Sequence, residues 1–334
     1  MAPTSRSRFA AACLVAAATV CPAIVEPAGV LAPPLGETGY ARAAPKAAES
    51  LLLAAARAGR RVVAVGEYGN VLLSEDDGKS WRQAKSVATT TTLTAVHFLD
   101  AERGWAVGHG GVVAATRDGG ETWTVLDGKA SGPDVLFSIR MVGPDRGLAV
   151  GSYGRAIRTI DGGRRWEEFE LASGEDGERH LNQIIGGAGG VLLVAAEGGT
   201  VFRSVDGGST WQVVRTPYKG SLWGGLALAD GAILIYGMRG KLLRSDDAGR
   251  SWTEIPSGTD QSLTGACQSP AGTIVIVGLG GAVGVSDDGG RSFATRIRPE
   301  RTSHSAVVCN TDRTAIVLGA QGVQIHPLPP PPRP

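Results

Sequence analysis

The chain has 334 residues, 33 of them basic and 32 acidic, for a net charge of +1. That balance excludes the basic footprint of a nucleic-acid binder and any general attraction to an anionic membrane. The length would allow two domains, and no stretch is apolar for long enough to read as a permanent membrane helix.

The first element is a leader. Arg6 and Arg8 precede an apolar run from Phe9 to Val20, followed by small residues and Pro22, which is the order of a secretory signal peptide. Ser7 between the arginines argues against a twin-arginine signal, and Val20 before Cys21 argues against lipidation. A signal peptide is expected over residues 1–23, with a second cleavage option as late as residue 44. Residues 24–48, rich in Pro, Ala and Gly, read as a flexible linker. The expected destination is the periplasm, or the thylakoid lumen in a photosynthetic host.

From residue 49 the chain repeats itself. The pattern [Ser/Thr]-x-Asp-x-Gly-x-x-[Trp/Phe] occurs six times: Ser74–Trp81, Thr116–Trp123, Thr159–Trp166, Ser204–Trp211, Ser245–Trp252 and Ser286–Phe293. Its closing aromatics are 42, 43, 45, 41 and 41 residues apart, a period that belongs to propeller blades or solenoid units. Each box follows two short apolar runs joined by a Gly-x-x-Gly turn, as in VAVGEYGNVLL, and an earlier strand-like run such as LTAVHFLD completes the unit. VLGAQGVQI supplies a seventh hairpin without a box. The expected fold is all-β: a seven-bladed β-propeller over residues 49–328, with four-stranded antiparallel blades and six Asp-box turns. Residues 329–334 read as a proline-rich tail.

The boxes call for no ligand. Their hydroxyl and carboxylate can hydrogen-bond the turn between the third and fourth strands, and the aromatic can pack back into the sheet interface. Cys267 and Cys309 occupy equivalent positions in the first strands of neighbouring blades. Equivalent positions on adjacent blades are expected to diverge, so two buried free thiols are expected rather than a bridge.

Catalytic chemistry finds little support. Gly78-Lys79-Ser80 mimics the end of a phosphate loop, but Leu73 stands where its first glycine belongs. Val113 and Val283 occupy the third glycine position of two dinucleotide-like runs. The five histidines have no metal-ligand spacing and the box aspartates lack calcium-loop order. No catalytic residue, metal or cofactor is expected.

The box, the hairpin before it and openings such as LTAVHFLDAERGWAVGHGG resemble the Asp-box (BNR) propellers, and within them the photosystem II stability and assembly factor-like proteins, over residues 50–328. The resemblance implies a non-enzymatic scaffold that holds a partner polypeptide with an arginine-rich patch. Asp-box propellers also include sialidases, so a sialidase-like hydrolase or glycan-binding propeller is the alternative. Tyr68 beside Glu67, and Tyr153, offer some of its ingredients, but the sialidase Arg-Ile-Pro signature is missing and sialidases have six blades.

The alignment of repeats places Leu73, Ala115, Arg158, Arg203, Arg244, Val285 and His326 just before the box Ser/Thr position. Arg155 and Lys241 follow the second turn glycine in two of those blades, and Arg239 lies inside a turn. Clustered arginines favour bidentate contact with carboxylates, so Arg155, Arg158, Arg203, Arg239, Lys241 and Arg244 form a candidate patch for an acidic or carboxy-terminal polypeptide segment, or an exposed part of a membrane protein. The same side chains could instead stack on aromatics or pair with box aspartates. Neither nucleic acid nor a small-molecule cofactor is expected as partner; the resemblance implies photosystem II assembly in a photosynthetic host and support of a membrane transporter elsewhere.

Overall fold

Paired glycines between runs of Val, Ile and Leu leave the backbone little choice but tight antiparallel hairpins. The computed structural model describes residues 39–126, 134–311 and 313–328. The signal-peptide region and most of the linker lie outside these, as does the proline tail.

Blade 1 comprises Leu52–Ala58, Arg61–Gly66, Val71–Ser74 and Arg82–Gln83, hydrogen-bonded in that order. Blades 2 to 6 repeat this plan, with first strands Leu93–Phe98, Leu136–Met141, Leu181–Gly186, Leu222–Ala227 and Leu263–Gln268. Blade 2 gains a fifth strand, Ser86–Val87, parallel to its outermost one. Blade 7 has three among the described residues, His304–Cys309, Thr314–Gly319 and Gly322–Pro327. Without a box there is no turn to return the chain, and Pro327 has no N–H for a ladder.

First strands of successive blades lie side by side around the axis, and that of blade 7 meets that of blade 1. Second strands are buried throughout, as in Ile274–Gly278, because neighbouring sheets cover both faces. Each first strand carries a bulge after its opening residue. Where the bulged residue is polar, it stitches the ring: Thr94, Asn182, Thr264 and Ser305 donate to the backbone carbonyls of Leu136, Leu222, His304 and Leu52, each opening the next blade. Ser305 thus closes the circle without a shared strand. Asn310 aids it, accepting from Arg57 at 2.6 Å and donating to the Asp77 carbonyl at 3.0 Å.

The six boxes share one network. The Ser/Thr hydroxyl donates to the box Asp at 2.7–3.0 Å and accepts the second-glycine N–H (Gly78, Gly120, Gly163, Gly208, Gly249 or Gly290) at 2.8–3.0 Å. The Asp in turn accepts the N–H of the residue before the aromatic at 2.9–3.0 Å. Each aromatic packs in a core cluster shared with the preceding blade: Trp166 with Trp105 and Val107, Trp252 with Leu193 and Val201, Phe293 with Leu234 and Leu242. The box is therefore a turn staple that also cements adjacent blades.

Three expectations change. Cys267 and Cys309 are joined in a disulfide, with their Cα atoms 5.6 Å apart. Equivalent positions diverge in the outer strands, but these two lie on the innermost strands, which crowd at the axis. His326 is not a residue before the box position. The last hairpin is a tight Gly319↔Gly322 turn, so His326 pairs with Ala315, as the box residue Ser286 pairs with Ile274. Finally, residues 41–48 of the supposed linker lie against the propeller: Ala41 N–H donates to the Val87 carbonyl, Ala44 N–H to Gln83, and Ala47 is buried.

Candidate partner-binding faces

The antiparallel order sends the Gly-x-x-Gly turns to one face of the ring and the boxes to the other. The six candidate basic residues are divided between them. Arg155, Arg239 and Lys241 stand at the turn end of their third strands, while Arg158, Arg203 and Arg244 stand at the box end. Arg155 and Arg158 are separated by about 10 Å of strand rise. The structure does not bring the set into one patch.

On the box side, two of the three arginines are structural. Arg203 is 7% exposed, and its Nε donates to the Ala248 carbonyl of the next blade's box at 2.7 Å. Arg244 is 4% exposed, pairs with Asp246 at 2.6 Å and Asp230 at 3.2 Å, and donates to the Gly289 carbonyl in the following blade. Arg158 makes no such bond among the described residues, although Gly207 of the next blade's box stands at the equivalent position. It is exposed, with its guanidinium 5.4 Å above the Phe169 ring.

On the turn side, Arg155 pairs with Glu168 at 3.0 Å and stands 3.9 Å from Asp134. Lys241 pairs with Glu254 at 2.5 Å over the Tyr218 ring. Arg239 is exposed and forms no ion pair among the described residues. It is one of three unusual residues. In blades 1, 3 and 5 the third position of the turn holds Tyr68, Tyr153 and Arg239 at φ 55°, 52° and 56°; in blades 2, 4 and 6 it holds Gly110, Gly198 and Gly280. A non-glycine residue costs about 1–2 kcal/mol in this left-handed region. Tyr68 and Tyr153 nonetheless present 74% and 72% of their surface to solvent. Tyr153 rests on His180, ring centroids 4.7 Å apart, which also accepts its backbone N–H at 2.9 Å.

Backbone strain of this kind clusters at functional sites, and Tyr and Arg are enriched among the residues that anchor protein interfaces. Blades 1, 3 and 5 alternate, so these three side chains are spread around the face. The sequence signal for them was the replacement of a turn glycine. The tyrosine–glutamate pair of the glycosidase alternative is not set up as one: the Glu67 carboxylate accepts the Leu51 N–H at 3.1 Å. Among the described residues no group of three or more His, Cys, Asp or Glu is arranged to hold a metal ion, and no helix is long and apolar enough to cross a membrane.

Six boxes on seven radially packed sheets, ringed on one face by exposed turns, define a seven-bladed Asp-box propeller. The family model described as photosynthesis system II assembly factor YCF48 matches residues 40–112, 84–213 and 131–252, most of the chain. The protein belongs to that family.

Among solved structures, YCF48 bound to a D1 peptide superposes with a TM-score of 0.69 at 18% identity, covering 89% of this chain and 99% of that one. YCF48 from Cyanidioschyzon merolae gives 0.66 at 18%, covering 86% and 98%. A streptogramin B lyase gives 0.71 at 11%, covering 86% and 97%, so similarity at this level speaks for the fold alone. No curated protein matches the chain in sequence.

Proposed function

We propose that this protein is an exported, non-enzymatic propeller scaffold that holds an exposed polypeptide segment of a membrane protein and so assists its assembly or stability. In a photosynthetic host that partner is a photosystem II subunit; in a non-photosynthetic bacterium it is a membrane transporter. The observation that carries the reading is the relative bound to a D1 peptide, whose fold this chain shares over 89% of its length. Export is supported by the leader-like residues 1–23 and by the Cys267–Cys309 bridge, which suits an oxidising compartment.

The turn face is the surface we assign to the partner, through Tyr68, Tyr153 and Arg239. Affinity capture from detergent-solubilised host membranes tests this, comparing the native protein with a Tyr68→Ala/Tyr153→Ala/Arg239→Glu variant. Enrichment of one membrane protein by the native form and its loss with the variant is the expected outcome. Equal capture by both would remove the turn face, and no membrane protein captured by either would remove the function.

A further inference from the structure

Each box does two things for the blade before it. Its second glycine rests on that blade's second strand, so that a Cβ added at Gly208 would stand 2.8 Å from Leu148 and one at Gly290 3.0 Å from Leu234. Its aromatic then fills the space between the two sheets. Six of the seven blade junctions are sealed this way.

The junction of blades 6 and 7 is not. Val275 is the residue that would receive the missing glycine. Its cluster contains no aromatic, only aliphatic side chains, the bridged cysteines and Leu328. In place of the aromatic lies a groove of about 800 Å³ walled by Val275, Val283, Val285, Ala294, Val317 and Leu328. Along it runs Gly322–Pro327, an edge strand that no fourth strand pairs among the described residues. Such an edge presents unpaired N–H and C=O groups to any extended chain.

Basic side chains also line the groove. Arg296 lines it, is exposed and forms no ion pair among the described residues. Arg298 lies beside it, shared between Glu300 at 3.5 Å and His326 Nδ1 at 2.8 Å. His326 is 6% exposed, and its Nε2 has no hydrogen-bond partner among the described residues.

We propose that this groove is a strand-addition site for an extended segment of a partner polypeptide, one that inserts an aromatic side chain between blades 6 and 7 and sets a carboxylate against Arg296. The proposal rests on the polypeptide-binding reading above and adds where and how a segment is held. The six occupied junctions supply the chemistry: a strand led by Trp or Phe fits here because that is what fills every other copy. Main-chain pairing supplies affinity and the aromatic pocket selectivity. The chain's own flanks are poor candidates for this strand, since five of the six residues after Leu328 are prolines and Pro27, Pro33 and Pro34 interrupt residues 24–38.

A fluorescein-labelled peptide copying residues 245–256 serves as probe. It carries Trp252, two aspartates and Glu254. Anisotropy titrations of the full chain are expected to show saturable binding that weakens at least about tenfold when the peptide's Trp252 is replaced by Ala. Binding should vanish with Ala294→Trp, which fills the groove from an exposed position, and weaken with Arg296→Glu. Should Ala294→Trp fail to fold, Arg296→Glu on the surface still decides the matter.

Equal binding to native and both variants would overturn the proposal, as would no binding at millimolar peptide. A native dimer that dissociates in Ala294→Trp would assign the groove to a second copy and also overturn it. Membrane-partner capture that survives Ala294→Trp alongside unchanged peptide binding removes the groove and leaves the scaffold function intact. Groove-specific peptide binding without any membrane partner does the reverse.

Discussion

Removing the Cys267–Cys309 bridge should destabilise the propeller measurably, and selectively at one blade. The bridge closes a loop of 42 residues. In the chain-entropy model such a loop restricts the unfolded chain by about 13 cal/mol/K, or about 4 kcal/mol at 25 °C. At about 2.1 cal/mol/K of unfolding entropy per residue, a propeller of residues 52–327 has about 0.6 kcal/mol/K, so its Tm should fall by about 7 °C. The loss should concentrate in blade 7, which has three strands, no box and no aromatic seal on blade 6.

Calorimetry of the native protein and of Cys267→Ala/Cys309→Ala, each with and without reductant, measures the first quantity. Amide exchange over residues 304–327 measures the second. The variant should melt low in both conditions, and the native protein should join it only when reduced. Unchanged melting in the variant, or protection lost evenly around the ring, would refute the reasoning that the bridge substitutes for missing packing.

The remaining predictions concern charge and strain. Arg244→Glu should cost on the order of 3 kcal/mol, because Asp246, Asp230 and the Gly289 carbonyl lose a buried cation. Arg158→Glu should melt like the native protein, and equal losses in the two would contradict the assignment of Arg244 to structure. Tyr68→Gly should raise stability by about 0.5–1 kcal/mol, the left-handed strain relieved less the entropy glycine adds to the unfolded chain; a lower Tm would show that the exposed ring is packed after all.

The last concerns acid. The Ser80 hydroxyl and N–H hold the Asp76 carboxyl at about 2. Burial pushes Asp247 and Asp288 upward, but hydrogen bonds from Ser251 and Ser292, among others, outweigh it and hold both at about 2. Carboxyls depressed below their unfolded value of about 3.9 contribute stability that is present above that pH and lost as pH falls. Tm should therefore be insensitive to these groups near neutrality and drop between about pH 4 and 2. A loss centred near pH 6 would point to histidines instead.

Much of the fold was legible because it is local and repeated. Thr159, Asp161, Gly163 and Trp166 lie within eight residues of one another, so one unit's hydrogen bonds are written in one stretch of sequence, and six copies in phase, with the box-less hairpin VLGAQGVQI after them, fix the number and order of blades. The left-handed turn positions were legible too, in retrospect, since Tyr68, Tyr153 and Arg239 stand where Gly110, Gly198 and Gly280 stand in the other blades.

What the repeat could not convey is anything set by contacts between units. Aligned in sequence, Arg158, Arg203 and Arg244 are equivalent, yet two are consumed by carbonyls of the next blade and one is not. Cys267 and Cys309 are brought within bonding reach only because first strands converge on the axis. The unsealed junction beside Gly322–Pro327 exists only in the closed ring, where the absence of a seventh box becomes a groove between two sheets. Short-range hydrogen bonding and hydrophobic period determine each blade, whereas the spacing between blades decides which of their equivalent side chains remain free to meet a partner.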